Sequence, residues 1–296
     1  VVGFKTKMHT VSQTVLDGMQ EAIGIAERRF KGLVLWQPKE PFSAGADLAG
    51  ALGALQAGKL AEFEAMVANF QATSQRIKYS LVPVVAAVRG LALGGGCEFQ
   101  MHSARTVAHL ESYIGLVEAG VGLLPAGGGL KEIAVRASEA AGANGDVFAE
   151  LKKTFETVAM AKVSTSAVEA KELGLLRAGD KVAFHAQELL YIAKQEALAL
   201  QETGYRPPMP ARRIRVAGDV GIATFRMLLV NMLEGRFISA YDDEIATRIA
   251  TVLCGGDVDR GAMVDEDWLL KLERKHFVEL AQQEKTQARI GHMLKT

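Results

Sequence analysis

The sequence predicts an α/β fold with an additional, mainly helical C-terminal region, and three observations carry that prediction. Short apolar runs of buried-strand type alternate with amphipathic helical patterns over the first hundred residues. Beyond about Leu130 the apolar spacing becomes mostly helical. The composition, 49% hydrophobic and 23% charged, is that of an ordinary soluble globular chain. With 296 residues the chain can build one large domain or two modest ones. The division expected is an α/β core over residues 1–180 followed by a mainly helical region over residues 181–296.

The elements follow in order. Residues 1–4 read as a strand, and a helix begins near Ser12 with Val15, Met19, Ile23, Ala26 and Phe30 on one stripe. "GLVLW" (residues 32–36) is a short buried-strand run, followed by a loop punctuated by Pro38, Pro41, Gly45 and Gly50. A second helix is predicted over residues 59–80, with Leu60, Phe63, Val67, Phe70, Ser74 and Ile77 on one face. "PVVAAVR" (residues 83–89) is a third strand, ended by Gly90. The proline-rich joint "YRPPMP" (residues 205–210) separates a helical middle from a helical end, and "ARRIR" (residues 211–215) reads as a solvated helix face. Met227, Leu228, Leu229 and Met232 read as helix packing, and residues 265–296 as a charged helix or helix pair lined by Trp268, Leu269, Leu272, Phe277 and Leu280.

Charge and cysteine content narrow the function classes. Lys+Arg and Asp+Glu balance at 34 each, so no net field favours nucleic acid or an anionic membrane. Cys97 and Cys254 make no disulfide framework and fit a reducing, cytoplasmic compartment. No apolar stretch is long enough for a membrane span, and no signal peptide is visible. The six histidines have no metal-ligand spacing, so no metal is expected. The chain starts Val-Val-Gly-Phe, strand-like and without Met, which predicts that it is part of something longer.

Three stretches can carry chemistry. "FSAGADLAG" (residues 42–50) is a small-residue loop after a strand: either a surface turn, or a place where a ligand lies against the bare backbone of Ala44, Gly45 and Ala46. "GLALGGGCEFQMH" (residues 90–102) puts Gly94, Gly95 and Gly96 between a strand and a helix. Such a junction either allows close packing or aims free amides at an oxygen that develops negative charge. Glu98 follows among Cys97, Phe99 and Met101, where an idle carboxylate is costly. "YIGLVEAGVGLLPAGGG" (residues 113–129) sets Glu118 in an apolar, glycine-rich segment, either solvated on a loop or facing a pocket where it can handle protons. Neither a G-x-G-x-x-G fingerprint nor a phosphate-loop ending is present.

Together, "FSAGADL", "GLALGGGCE" and "GLVEAGVGLLPAGGG" resemble the crotonase (enoyl-CoA hydratase/isomerase) superfamily, continuously over residues 1–136 and again in the final helix. The resemblance implies a ββα-repeat core and an oxyanion hole made by the amides of Ala46 and Gly95. It implies two catalytic carboxylates, Glu98 and Glu118, and substrate contacts from Ala44, Asp47, Leu48, Gly94 and Ala126. The implied reaction is hydration of the trans-2 double bond of an acyl-CoA thioester, with coenzyme A entering as part of the substrate and no further cofactor in this chain.

Rivals are Δ3-Δ2 isomerisation, which such enzymes run mainly with the carboxylate at the Glu118 position, and a non-catalytic acyl-CoA-binding module. "KTKMHTVSQTVL" (residues 5–16) departs from the family pattern, leaving Lys5 and Lys7 as candidates for CoA phosphates, and Ala126 stands where hydratases often carry glycine. The long helical region after Arg136 is similar to the layout of bacterial fusion enzymes in which a hydratase follows a 3-hydroxyacyl-CoA dehydrogenase. That similarity implies a covalently linked N-terminal dehydrogenase, with any NAD chemistry upstream of Val1. Self-association into a homo-oligomer is a further expectation from the family.

Overall fold

A computed structural model describes residues 1–295. The helices and strands run α1 (Gln13–Arg29), β1 (Leu33–Trp36), α2 (Leu48–Gln56), α3 (Leu60–Lys78), β2 (Val84–Leu93), α4 (Gly95–His102) and β3 (Arg105–Gly115). Then come α5 (Gly129–Ala141), α6 (Val147–Ala159), α7 (Ala167–Glu172), β4 (Lys181–Ala183) and α8 (Leu189–Glu202). The C-terminal part holds β5 (Ile214–Arg215), α9 (Gly218–Glu234), α10 (Ala240–Leu253), β6 (Met263–Val264), α11 (Glu266–Ala281) and α12 (Glu284–Met293). The fold is mixed α/β with a parallel sheet, as the sequence predicts. None of the described helices is long and apolar enough to cross a membrane.

The chain divides into two compact units, each assembled from three stretches: Val1–Gly50, Ala68–Leu116 and Val163–Met209 in the first, Ala51–Val67, Val117–Lys162 and Pro210–Thr296 in the second. The first unit is built on the sheet β1-β2-β3-β4, all pairs parallel. Side chains alternate across a strand, so Val34, Val85, Ala87 and Val107 share one face, where Leu189, Ala193 and Ala197 of α8 cover them. Residues of the other parity (Leu35, Val84, Ala86 and Val88) are buried as well, so both faces of the sheet are covered. The second unit is helical, with one two-stranded antiparallel ladder, β5-β6. Its packing includes the stacked rings Phe155 and Phe225, 4.1 Å apart, and Phe63 and Phe277, 5.7 Å apart.

Several sequence expectations need correction. Residues 1–4 form only a bridge from Val2 to Leu35 rather than a strand. Phe30 leaves its helix in extended conformation and lies on the surface, because α1 ends at Arg29. Leu60 is also exposed, at the first position of α3. β2 does not stop at Gly90 but runs on to Leu93, with a register shift between Val88 and Gly90. "ARRIR" is no helix face: Ile214 and Arg215 pair with Val264 and Met263. The Arg215 guanidinium is occupied by the carbonyls of Gly142, Ala143 and Gly145.

Candidate active site

The far end of β2 organises the candidate residues that lie in the first unit. Past the register shift, the loop after β1 pairs with the strand: the Ser43 amide donates to Leu91 O at 3.0 Å and the Leu93 amide to Ser43 O at 3.0 Å. On its other side the loop pairs with Val11, which donates to Gly45 O (2.8 Å) and accepts from the Asp47 amide (3.1 Å). These bonds pin the residues on either side of Ala46. Among the described residues, the exposed Ala46 donates its own N–H to no protein acceptor. Ala44 donates to Met8 O, and Asp47 accepts from the Gly50 amide at the start of α2, where Leu48 is the first residue.

The three consecutive glycines have three separate reasons. Gly94 caps α4 with φ 50° and ψ −122°, a conformation unfavourable for any residue with a Cβ. A Cβ on Gly95 would lie 2.5 Å from Phe70 Cζ, and one on Gly96 would lie 2.6 Å from Ser43 Cβ. The packing reading is therefore correct for Gly95 and Gly96. That packing does not exclude the other reading, since the same Cβ on Gly95 would sit 3.5 Å from the Ala46 amide nitrogen. The two amides are neighbours. The Gly95 N–H, first in its helix, also lacks a protein acceptor among the described residues, so a pair of donors is left beside a helix N-terminus.

Glu98 lies in the first turn of α4 and is only 3% exposed, between the fully buried Cys97 and Phe99. Its amide donates to Gly94 O (2.9 Å), and its carbonyl accepts from His102 Nδ1 (2.7 Å), which fixes the histidine tautomer. Ala44, Ala46, Asp47, Leu48, Gly94, Gly95 and Glu98 thus all belong to the first unit.

Glu118 and Ala126 belong to the second unit. Glu118 opens a 3-10 turn, Glu118–Val121, and its carbonyl accepts the Leu123 amide at 3.0 Å. Gly122 ends the turn in left-handed conformation, φ 86°. Ala126 is buried just before the start of α5. That start is capped from far away. Glu273 of α11, fully buried, accepts from the amides of Gly128 (3.0 Å) and Lys131 (2.6 Å), one on each carboxylate oxygen. The Lys131 ammonium, equally buried, meets Glu132 at 2.6 Å and Glu266 at 3.3 Å. In α12, the buried Thr286 hydroxyl donates to Gly122 O at 2.6 Å and meets the Tyr241 hydroxyl at 2.6 Å.

Glu273, Thr286 and Tyr241 are absent from the sequence-based site. Glu273 and Thr286 bond main-chain groups more than a hundred residues away, and Tyr241 meets Thr286 across 45 residues, distances that spacing along the chain does not reveal. The available hint for Glu273 and Thr286 is a polar residue on an otherwise apolar helical stripe.

The family model described as "Enoyl-CoA hydratase/isomerase" matches residues 4–178. A Bacillus subtilis protein named "Probable 3-hydroxyacyl-CoA dehydrogenase" is 40% identical over 291 residues, which is 98% of this chain and 36% of that protein. A Rickettsia felis protein named "Putative fatty acid oxidation complex trifunctional enzyme" is 29% identical over 294 residues, 98% of this chain and 37% of that protein. The chain therefore spans little more than a third of these curated relatives. Among solved structures, an enoyl-CoA hydratase from Bacillus halodurans is 18% identical, with TM-score 0.61 over 97% of this chain and 92% of the other, a likeness of fold. With the motif residues and the parallel sheet, these matches make the chain a member of the enoyl-CoA hydratase/isomerase family.

Proposed function

We propose that the chain is an enoyl-CoA hydratase adding water across the trans-2 double bond of an enoyl-CoA thioester in fatty-acid β-oxidation. The observation that carries the reading is the pair of neighbouring amides, Ala46 and Gly95, without protein acceptors. Polarised by two such donors, the thioester carbonyl takes up negative charge as the hydroxyl of water bonds to the β-carbon. Each donor contributes roughly 3 kcal/mol in comparable oxyanion sites. Glu98 and Glu118 divide the proton work: one accepts a proton from the water, the other supplies one to the α-carbon, and coenzyme A stays attached throughout. Ala44, Asp47, Leu48, Gly94 and Ala126 line the substrate's path in this reading.

The names of the relatives, and the share of their length spanned, support a second part of the proposal. The hydratase works in one polypeptide with an NAD-dependent 3-hydroxyacyl-CoA dehydrogenase that oxidises its product. The two cysteines, both free thiols, suit the cytoplasm.

The test is loss of the enone absorbance of crotonyl-CoA without NAD, for the wild type and for Glu98→Gln and Glu118→Gln. Each variant should lose turnover by at least a hundredfold while still binding acyl-CoA. Isomerisation of a 3-enoyl-CoA in place of hydration would assign the isomerase activity instead. Binding without either reaction would reduce the chain to an acyl-CoA-binding module.

A further inference from the structure

We infer that Thr286 and Tyr241 are positioning residues for Glu118, acting through the peptide that joins Gly122 to Leu123; the inference rests on the catalytic role proposed for Glu118. The two ends of that one peptide are held by different partners. Its carbonyl, Gly122 O, accepts the Thr286 hydroxyl at 2.6 Å. Its N–H, on Leu123, donates to the Glu118 carbonyl at 3.0 Å. A peptide unit is planar and resists rotation, so fixing its carbonyl fixes the direction of its N–H and with it the main chain of Glu118.

The hydroxyl bonds can be assigned. Thr286 has one proton and gives it to a carbonyl, which can only accept. The Tyr241 O–H must therefore donate to Thr286 Oγ1, producing a relay from Tyr241 through Thr286 to Gly122 O. All its polar atoms are buried side chain or main chain, where bonds polarise one another and a missing partner is costly. The Tyr241 ring is fixed in turn by α12, with Lys285 Nζ and the Arg289 guanidinium each 5.2 Å from its centroid. Arg289 also pairs with Asp242 at 2.8 Å, tying α12 to α10 beside the tyrosine.

Gly122 is the matching half of the device. A Cβ there would lie 2.7 Å from Thr286 Oγ1 and 3.0 Å from Thr286 Cα, so only glycine lets α12 come this close to the turn. The contact spans 164 residues of sequence and lies wholly within the second unit. An enzyme that uses a glutamate to transfer a proton needs it within a few tenths of an ångström of the reacting atom. The C-terminal helices supply that restraint to a turn of only four residues.

The experiment compares Thr286→Val, which keeps shape and removes the hydroxyl, with Thr286→Ser, which restores it, using crotonyl-CoA hydration by the full chain. Thr286→Val should lower kcat about tenfold with KM within about twofold, and Thr286→Ser should return most of it. In a Glu118→Gln background Thr286→Val should cause no further loss, because residues acting as one unit are non-additive. A merely structural role predicts a lower melting temperature with kcat per folded molecule intact, and that outcome overturns the inference. If Thr286→Val does not fold, Tyr241→Phe provides the same comparison, with a smaller fall in kcat expected and full kcat overturning it. Full activity of Glu118→Gln would instead remove the catalytic reading beneath it, so the two failures are distinct.

Discussion

Truncating Glu273 to alanine removes the acceptor for two main-chain donors at the start of α5. Gly128 and Lys131 donate to separate oxygens of that carboxylate at 3.0 and 2.6 Å, and the site is closed to water, with Glu273 0% exposed. Each orphaned buried donor costs about 1–3 kcal/mol, so Glu273→Ala should cost about 2–6 kcal/mol, the cavity pushing it towards the upper end. Glu273→Gln keeps one carbonyl oxygen and the side-chain shape but loses the second acceptor and the charge at the helix N-terminus, for about 1–3 kcal/mol. Guanidinium unfolding followed by circular dichroism gives the totals. Amide hydrogen exchange at Gly128 and Lys131 locates the effect. A Glu273→Ala protein within about 0.5 kcal/mol of wild type, with protection at those amides unchanged, would show that the carboxylate does not cap α5.

Gly95→Ala places a methyl group 2.5 Å from Phe70 Cζ, so it should destabilise by about 1–3 kcal/mol, whereas Gly53→Ala, with nothing within 4 Å, should stabilise by about 0.5–1 kcal/mol. Thermal melts of the two variants check the contrast. The Arg76 guanidinium beside Glu27, helped by the Leu81 amide, holds the Glu27 carboxyl below its ordinary range despite partial burial. A carboxylate whose pKa is lowered on folding adds stability above its unfolded pKa and loses it as pH falls through the folded value. Glu27→Gln should therefore weaken the protein at pH 7, and the gap to wild type should close below about pH 4; a constant gap from pH 7 to pH 3 would refute the pairing.

Much of the first unit is legible in the sequence because its signals are local. The stripes of α1 and α3 and the apolar run of β1 follow from spacing alone, and the glycines mark the start of α4. β3 is not legible in the same way. Its Thr106 and Ser112 are polar yet fully buried, satisfied by Gln100 and Val88, and hydropathy cannot register a hydroxyl that bonds inward. "ARRIR" misleads for a related reason, since Arg215 serves three carbonyls 70 to 73 residues away. In the candidate site, small residues and carboxylates stand out because their types are costly where they lie. The residues that hold them do not, because a threonine or glutamate on a helix is ordinary until its distant partner is known.

The bond between Thr286 and Gly122 has a consequence for synthesis on the ribosome. At about 5–20 residues per second, roughly ten to thirty seconds separate the translation of the two residues. Throughout that interval the nascent chain carries Glu118 on a turn that Thr286 cannot yet brace. In the reading in which Glu118 transfers a proton, its turn gains that brace only once α12 has been made, so the order of synthesis puts the restraint after the residue it restrains.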